Sequence, residues 1–482
     1  MDLGRQTRVR QAFDTFFDAA EPPAGNAVLD LFHRTAETVP AYGKFLREHG
    51  IEPATITTMA GFARLPLVGK AGYHRKYPLP ELCRGGTFAG LDMIAVSSGS
   101  SGRPTVWPRA LEDELHVARR FEQVLVDAFD AGRRSTLAVV CFPLGTWVGG
   151  LFTTACVRHL AAKGCPITVV APGNNKTEIL RVLPELAPHF EQVVLLGYPP
   201  FVKDVVDTGL AAGVDWPAYA IKLVLAGEVF SEQWRELVGR RAGIADPVRD
   251  IASLYGTADA GVLGTETPLS AGIRRFFAGR PELAREVFGD ARLPTLVQYD
   301  PASRYFEVHE GTLVLTADGG IPLIRYHIAD DGGLLPHAGL LDFCARHGFT
   351  PDTRGPDLPF VYVFGRSLFT VSFFGANVYP ENVTVGLEQP GISDTVTGKF
   401  VIESVEDADR DRRLRITVET APGATADAAR IADAVRTELV RLNSEFAHYV
   451  PPDRQLPDVV LRPAGDPEYF PVGVKHRYTR RS

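Results

Sequence analysis

Ser97-Ser98-Gly99-Ser100-Ser101-Gly102-Arg103-Pro104-Thr105 concentrates more chemistry than any other stretch of the chain: small hydroxyls, two glycines and a closing cation. Successive backbone N–H groups in such a loop form an anion-binding nest. Glycine lets a ligand come close to the backbone, while serine hydroxyls and an arginine add donors. The apolar run Met93-Ile94-Ala95-Val96 just before it reads as a buried strand. A strand feeding this loop points to a grip on polyphosphate, although a flexible Ser/Gly linker has the same composition. Two other readings fail on spacing. No lysine plus hydroxyl follows Gly102 as a P-loop requires, and Gly99 and Gly102 stand one residue too close for G-x-S-x-G.

Four more groups carry reactive side chains. Tyr255-Gly256-Thr257-Ala258-Asp259 offers an aromatic ring that can stack on a purine and a carboxylate that can hold Mg²⁺ beside phosphates; by itself it is also an ordinary turn. In Pro322-Leu323-Ile324-Arg325-Tyr326-His327-Ile328-Ala329-Asp330-Asp331-Gly332, Asp330 reads as an aspartate ending a strand, able to accept two hydrogen bonds from a ribose diol, or as part of a hairpin turn. Gly365-Arg366 follows, then Gly375-Ala376-Asn377-Val378-Tyr379-Pro380-Glu381. Lys475 lies in a basic tail with His476, Arg477, Arg480 and Arg481.

The elements that must position these groups are legible in outline. Residues up to about 90 read as helices and loops. From Leu137 to Leu254, short apolar runs (137–140, 167–170, 193–196, 223–225 and 251–254) alternate with helix-length segments, which predicts a largely parallel sheet with helices on its faces. Ligands of such sheets bind beyond the carboxyl ends of the strands. Residues 300–365 read as more antiparallel, with a strand at Thr312–Leu315 and a turn at Asp318-Gly319-Gly320. After Gly365 a smaller α+β unit is expected. It has a strand over Leu414–Val418, a helix capped by Thr425 with Ile431, Val435, Leu439, Leu442 and Phe446 on one face, and a second strand at Val459–Leu461.

Composition bounds the function. The 482 residues imply more than one unit. A hydrophobic content of 45% and a charged content of 23% are those of a globular protein, and a net charge of −7 argues against a nucleic-acid partner. Five scattered cysteines with no C-x-x-C pair support neither a zinc site nor a disulfide framework. The N-terminal residues lack a signal-peptide core, and no apolar run is long enough to span a bilayer. A reduced, cytoplasmic protein without a membrane partner is expected.

Taken in order, the Ser/Gly loop, Y-G-x-x-acid, R-x-x-x-x-D, G-R, G-x-N-x-x-P and a terminal lysine resemble the adenylate-forming enzyme superfamily. Leu65-Pro66-Leu67-Val68-Gly69-Lys70 and Pro322–Tyr326 are especially similar to its phenylacetate–CoA ligase and coenzyme F390 synthetase-like branch. The resemblance spans residue 30 or so to the end. It implies an α/β protein with a large multi-subdomain N-terminal adenylation domain (1–365), mostly parallel sheets, and a small mobile C-terminal lid (366–482). It also implies activation of a small carboxylic acid by ATP with Mg²⁺, giving an acyl-adenylate and pyrophosphate, with CoA as the default acceptor.

By this resemblance Ser97, Ser98, Gly99, Ser100, Ser101, Gly102 and Arg103 hold phosphates and Asp259 holds Mg²⁺. Gly227, Glu228, Tyr255, Gly256, Thr257, Asp330 and Arg366 surround the adenosine, and Lys475 stabilises charge at the α-phosphate. Phe142, Trp147, Gly149 and Tyr198 are placed at the acid pocket, their aromatic character pointing to an aryl acid. Three departures stand out: Asp259 is a shorter acid than usual, Ala258 replaces a small hydroxyl, and Leu368 replaces the hinge acid. A diazotase of the same fold, activating nitrite, and a non-catalytic nucleotide-binding relative are the alternatives. A homodimer is left open.

Overall fold

A computed structural model describes residues 27–97, 105–351, 355, 357–366, 370–471 and 478–480. The chain enters through helices Ala27–Thr38 and Pro40–Glu48. β1 (Met93–Ser97) and β2 (Thr105–Arg109) then pair antiparallel as a separate two-stranded ribbon. The buried strand expected at 93–96 is therefore only half buried. Ala95 and Ser97 face inward, whereas Ile94 is 48% exposed, because the ribbon stands outside the main sheet.

The large sheet begins with β3 (Thr136–Val140), β4 (Ile167–Val170), β5 (Gln192–Gly197), β6 (Ile221–Ala226) and β7 (Ile251–Thr257). These five run parallel in the order β4-β3-β5-β6-β7, connected by helices such as Val148–Lys163, Pro199–Ala211 and Glu232–Arg241. Alternation along each strand sends side chains to opposite faces. Leu137, Val139, Leu195 and Leu223 pack with Phe201 and Trp216 on one side. Ala138, Val140, Val194 and Val224 pack with Phe121, Phe152 and Val157 on the other. Burial on both faces is why these strands read as unbroken apolar runs.

The sheet continues antiparallel through β8 (Gly261–Thr265), β9 (Thr295–Gln298), β10 (Tyr305–His309), β11 (Thr312–Ala317), β12 (Leu323–Leu335) and β13 (Phe360–Arg366). The eleven-stranded order is β10-β11-β12-β13-β9-β8-β7-β6-β5-β3-β4. Asp330 does not end a strand. It sits within β12, just after Ala329 with φ of 63°, where pairing with β13 begins at Asp330–Arg366. The kink turns β12 from one neighbour toward the other.

Beyond β13 comes a smaller unit: hairpin β14 (Val371–Phe373) with β15 (Ala376–Val378), then the three-stranded sheet of β16 (Val396–Glu406), β17 (Arg412–Thr420) and β18 (Asp458–Arg462). Its long helix, Ala428–Leu442, is capped by Asp427 rather than Thr425; the Asp427 carboxylate accepts from the N–H groups of Ala429 and Arg430. Phe446 belongs to a second short helix, Ser444–Tyr449, which Asn443 caps at the break. Residues 478–480 return beside β16, with the Ile402 N–H donating to Tyr478 O at 2.8 Å. Packing between elements is denser within each unit than across them, although one apolar cluster runs from Leu195 and Phe230 to Phe400 and Ile416. Among the described residues, no helix is long and apolar enough to cross a membrane.

Candidate active site

A cavity of about 780 Å³ opens at the carboxyl ends of β5, β6 and β7, lined there by Tyr198, Ala226-Gly227 and Tyr255–Ala258. The C-terminal unit closes it from the other side with Gly375, Asn377, Arg412 and Tyr449. This is the crevice position favoured by parallel α/β sheets.

At one end stand Ser97 and Lys70. Lys70 begins a single π-helical turn over Lys70–His74, and its Nζ lies 2.9 Å from Asp259 Oδ1. Asp259 is almost wholly buried and also accepts the Tyr326 hydroxyl on Oδ2 at 2.7 Å. The backbone of the Asp259 turn is fixed from below by the buried Arg109, whose Nη2 donates to Ala258 O at 2.7 Å and to Asp259 O at 2.9 Å. Arg109 closes β2, so one side chain ties the strand leaving the Ser/Gly loop to the turn that carries the acid. Trp107 Nε1–H donates to Ser97 Oγ at 3.3 Å. The His74 ring lies 4.4 Å from that of Trp107, and burial pushes its pKa down to about 4.

In the middle of the cavity, the Tyr255 hydroxyl donates to Asp330 Oδ2 at 2.9 Å. The Tyr255 ring is backed by Phe306 at 6.4 Å, nearly parallel. Glu228 is buried too, but its oxygens serve the C-terminal unit: Oε1 accepts the Gly375 N–H at 2.7 Å, and Oε2 pairs with Arg412 Nη1 at 3.0 Å. Burial raises the Glu228 carboxyl above its ordinary value, against the pull of Arg412 and the Gly375 N–H.

The remaining arm is apolar, formed by Val117, Phe121, Phe142, Phe152 and Tyr198. Tyr198 meets Phe142 edge-on at 5.1 Å and Tyr449 at 5.4 Å. Tyr198 is held between two glycines of positive φ. A Cβ on Gly227 or Gly375 would come within 2.7 or 2.5 Å of its ring.

No protein-family model matches the chain. Phenylacetate-coenzyme A ligase of Aromatoleum evansii is 24% identical over 322 residues, covering 62% of this chain and 63% of that protein. The enzyme of the same name from Thermus thermophilus is 23% identical over 354 residues, covering 72% and 70%. The match thus spans a little under two thirds of the first relative's length. Among solved structures, 2-hydroxyisobutyryl-CoA ligase in complex with 2-HIB-AMP and CoA in the thioesterification state aligns with a TM-score of 0.65 at 17% identity, over 95% of this chain and 90% of that one. The same ligase in the postadenylation state with 2-HIB-AMP gives 0.54 at 15% identity, over 94% and 88%. The fold is that of the adenylate-forming ligases.

Within this adenylate-forming ligase fold, ten of the residues singled out in the sequence meet at one cavity. Ser97, Phe142, Gly149, Tyr198, Gly227, Glu228, Tyr255, Gly256, Thr257 and Asp330 all line it, and Asp259 lies directly behind Lys70. Trp147 turns elsewhere, packing on Tyr449 at 5.0 Å and His448 at 5.9 Å. Arg366 pairs with Asp330 through the backbone, and its side chain lies outside the described residues. So do Ser98, Gly99, Ser100, Ser101, Gly102, Arg103 and Lys475. Sequence reasoning assigned no role to Lys70, Tyr326, Arg109 or Arg412. Lys70 and Tyr326 do end the two segments that carried the branch-level likeness, which was the available signal for them.

Proposed function

We propose that the chain is an ATP-dependent, AMP-forming ligase that activates a small aryl carboxylic acid and passes the acyl group to CoA. The observation that carries this reading is the joining, in one cavity, of a buried acid–lysine end, a tyrosine–aspartate pair and an apolar arm. The likeness to two phenylacetate–CoA ligases supports it. In the first half-reaction, a carboxylate oxygen of the acid attacks the α-phosphorus of ATP, and the bond to the bridging oxygen breaks to release pyrophosphate. In the second, the CoA sulfur attacks the acyl carbon and AMP leaves.

Such displacements need positioning and charge neutralisation more than covalent help. The Ser97–Arg103 loop and Lys70 would supply donors to the β,γ-phosphates, and Asp330 would take the ribose hydroxyls with Arg366 near it. The faces of Tyr255 and Gly256 would border the adenine. Lys475, on a C-terminal lid spanning 366–482, would neutralise the α-phosphate. Phe142, Phe152 and Tyr198 would exclude water from the aryl group and orient its carboxylate. Asp259 is the acid that would meet Mg²⁺: were Lys70 to turn to a phosphate, Oδ1 would be left for the ion, and one carboxylate plus phosphate oxygens suits it. When bound, Mg²⁺ would offset phosphate charge.

The decisive assay is pyrophosphate release from ATP over a panel of aryl and alkyl acids, with and without CoA. Acid-dependent release, with CoA consumed in step, is the expected result. Release with no acid of the panel overturns the reading.

A further inference from the structure

The turn between β16 and β17 is built of charge. Glu406 ends one strand and Arg412 opens the next, with Asp407, Asp409 and Asp411 between them. The turn is internally braced: Asp407 Oδ1 accepts the N–H groups of Asp409 at 2.9 Å and Asp411 at 3.0 Å. Both signs of its charge then reach across to the N-terminal unit.

On the acidic side, Lys203 of helix Pro199–Ala211 has a side chain only 1% exposed. Its Nζ lies 2.7 Å from Asp411, 3.3 Å from Asp409 and 2.7 Å from Asp207 on its own helix. Arg241 of helix Glu232–Arg241 reaches the same group, pairing with Asp207 at 2.8 Å and with Asp409. On the basic side, Arg412 pairs with Glu228 at 3.0 Å and donates to Val229 O at 2.7 Å, while Glu406 steadies it at 3.1 Å. A lysine with its charge buried is tolerated only when anions surround it. Two of its three carboxylates belong to the other unit, so any orientation that removes the turn leaves Lys203 with Asp207 alone.

We propose that this turn is a two-sided ionic dock that fixes the C-terminal unit over the cavity, and that Lys203 and Arg241 are positioning residues for one of the two half-reactions. The kinetic part rests on the ligase reading; the dock itself rests on the contacts. The turn adds a polar contact beside the apolar cluster that also joins the two units. A dock made of ion pairs also weakens as salt rises.

The test compares the full-length chain with Asp409→Asn/Asp411→Asn and with the charge-preserving pair Asp409→Glu/Asp411→Glu. Backbone hydrogen exchange over 199–211 and 406–412 reads the dock without reference to activity. Single-turnover pyrophosphate formation and CoA-dependent acyl transfer read the two half-reactions. In the double asparagine variant, exchange should rise at both segments, and one half-reaction should slow on the order of tenfold while the other stays within about twofold. The glutamate pair keeps both charges and should hold both readouts near wild type, so that loss in the asparagine variant reports the charge and not a fold defect of the turn. Unchanged exchange overturns the dock. Raised exchange with both half-reactions untouched, or with both slowed equally, overturns the positioning role. Should the wild-type chain release no pyrophosphate with any acid, the ligase reading and the positioning role fall together, and the exchange data still decide the dock.

Discussion

Lys70 Nζ and Asp259 Oδ1 lie 2.9 Å apart at the Ser97 end of the cavity, joining the turn after Gly69 to the turn after β7. The pair sets a cation against a buried acid beside the segment that leads into the Ser/Gly loop. Lys70 is a quarter exposed and faces the cavity. It can therefore serve a phosphate as well as Asp259, which is almost wholly buried.

Asp259→Asn keeps the shape of this end and removes its charge. The Tyr326 hydroxyl still finds an oxygen to donate to, and Lys70 can hydrate. Acid-dependent pyrophosphate release should fall by about 100-fold, the usual scale for losing one charge-stabilising group, while the urea midpoint moves little. Rate assays beside urea unfolding check both halves. An unchanged rate removes Asp259 from the site.

Tyr255 and Asp330 share a 2.9 Å hydrogen bond in the middle of the cavity. Asp330→Ala should raise the KM for ATP by about tenfold to 100-fold, in keeping with about 1.5–3 kcal/mol for hydrogen bonds to a charged acceptor, with a smaller effect on kcat. Tyr255→Phe removes only the donor to Asp330 and leaves the ring, so its effect on the same KM should be several-fold weaker. Steady-state kinetics at saturating acid separate the two. Equal effects would mean that the pair acts as a unit and that the ribose assignment is wrong.

The parallel part of the sheet was legible because burial on both faces leaves a plain apolar signature. The Ser/Gly loop, the Asp259 turn and Asp330 were legible because their chemistry is dense in sequence. What escaped has a common cause: its meaning depends on distant partners. Lys70 looks like any lysine until Asp259 is placed against it, and Lys203 looks like a surface residue on a helix until Asp409 and Asp411 cover it. The run 93–96 reads as a buried strand although Ile94 is exposed, because a ribbon outside the sheet has the same local pattern. The break in β12 before Asp330 depends on a positive φ at an alanine, for which the sequence carries no marker.

His74 gives the fold a pH dependence of known sign. Burial pushes its pKa down to about 4 from an ordinary 6.5, and its Nε2 hydrogen-bonds Val106 O at 3.1 Å. Below pH 6.5 the unfolded chain binds a proton that the folded chain refuses. Stability from this residue is therefore complete above pH 6.5 and drains as the pH falls toward 4. Between pH 7 and pH 5 the loss should be about 2 kcal/mol. His74→Gln retains a donor for Val106 O and has no proton to take up, so its unfolding free energy should fall less over that interval. Urea unfolding of both proteins at the two pH values gives the difference directly; parallel slopes would assign the pH dependence to other groups.

Gly375 tests how the acid arm is built. Its φ is 81°, and a Cβ there would lie 2.5 Å from the Tyr198 ring. Gly375→Ala therefore carries two costs: about 1–2 kcal/mol for a left-handed backbone with a side chain, and displacement of the ring that walls the pocket against Phe142. The first cost persists whatever residue stands at 198; the second vanishes in Tyr198→Ala. The double variant should accordingly be more stable than the sum of the single changes predicts, by at least about 1 kcal/mol, the coupling expected of residues in contact. In Gly375→Ala alone the KM for the acid should rise more than that for ATP, because the ring borders the apolar arm rather than the Tyr255–Asp330 pair. Additive stabilities, or equal changes in both KM values, would show that Tyr198 does not shape the pocket.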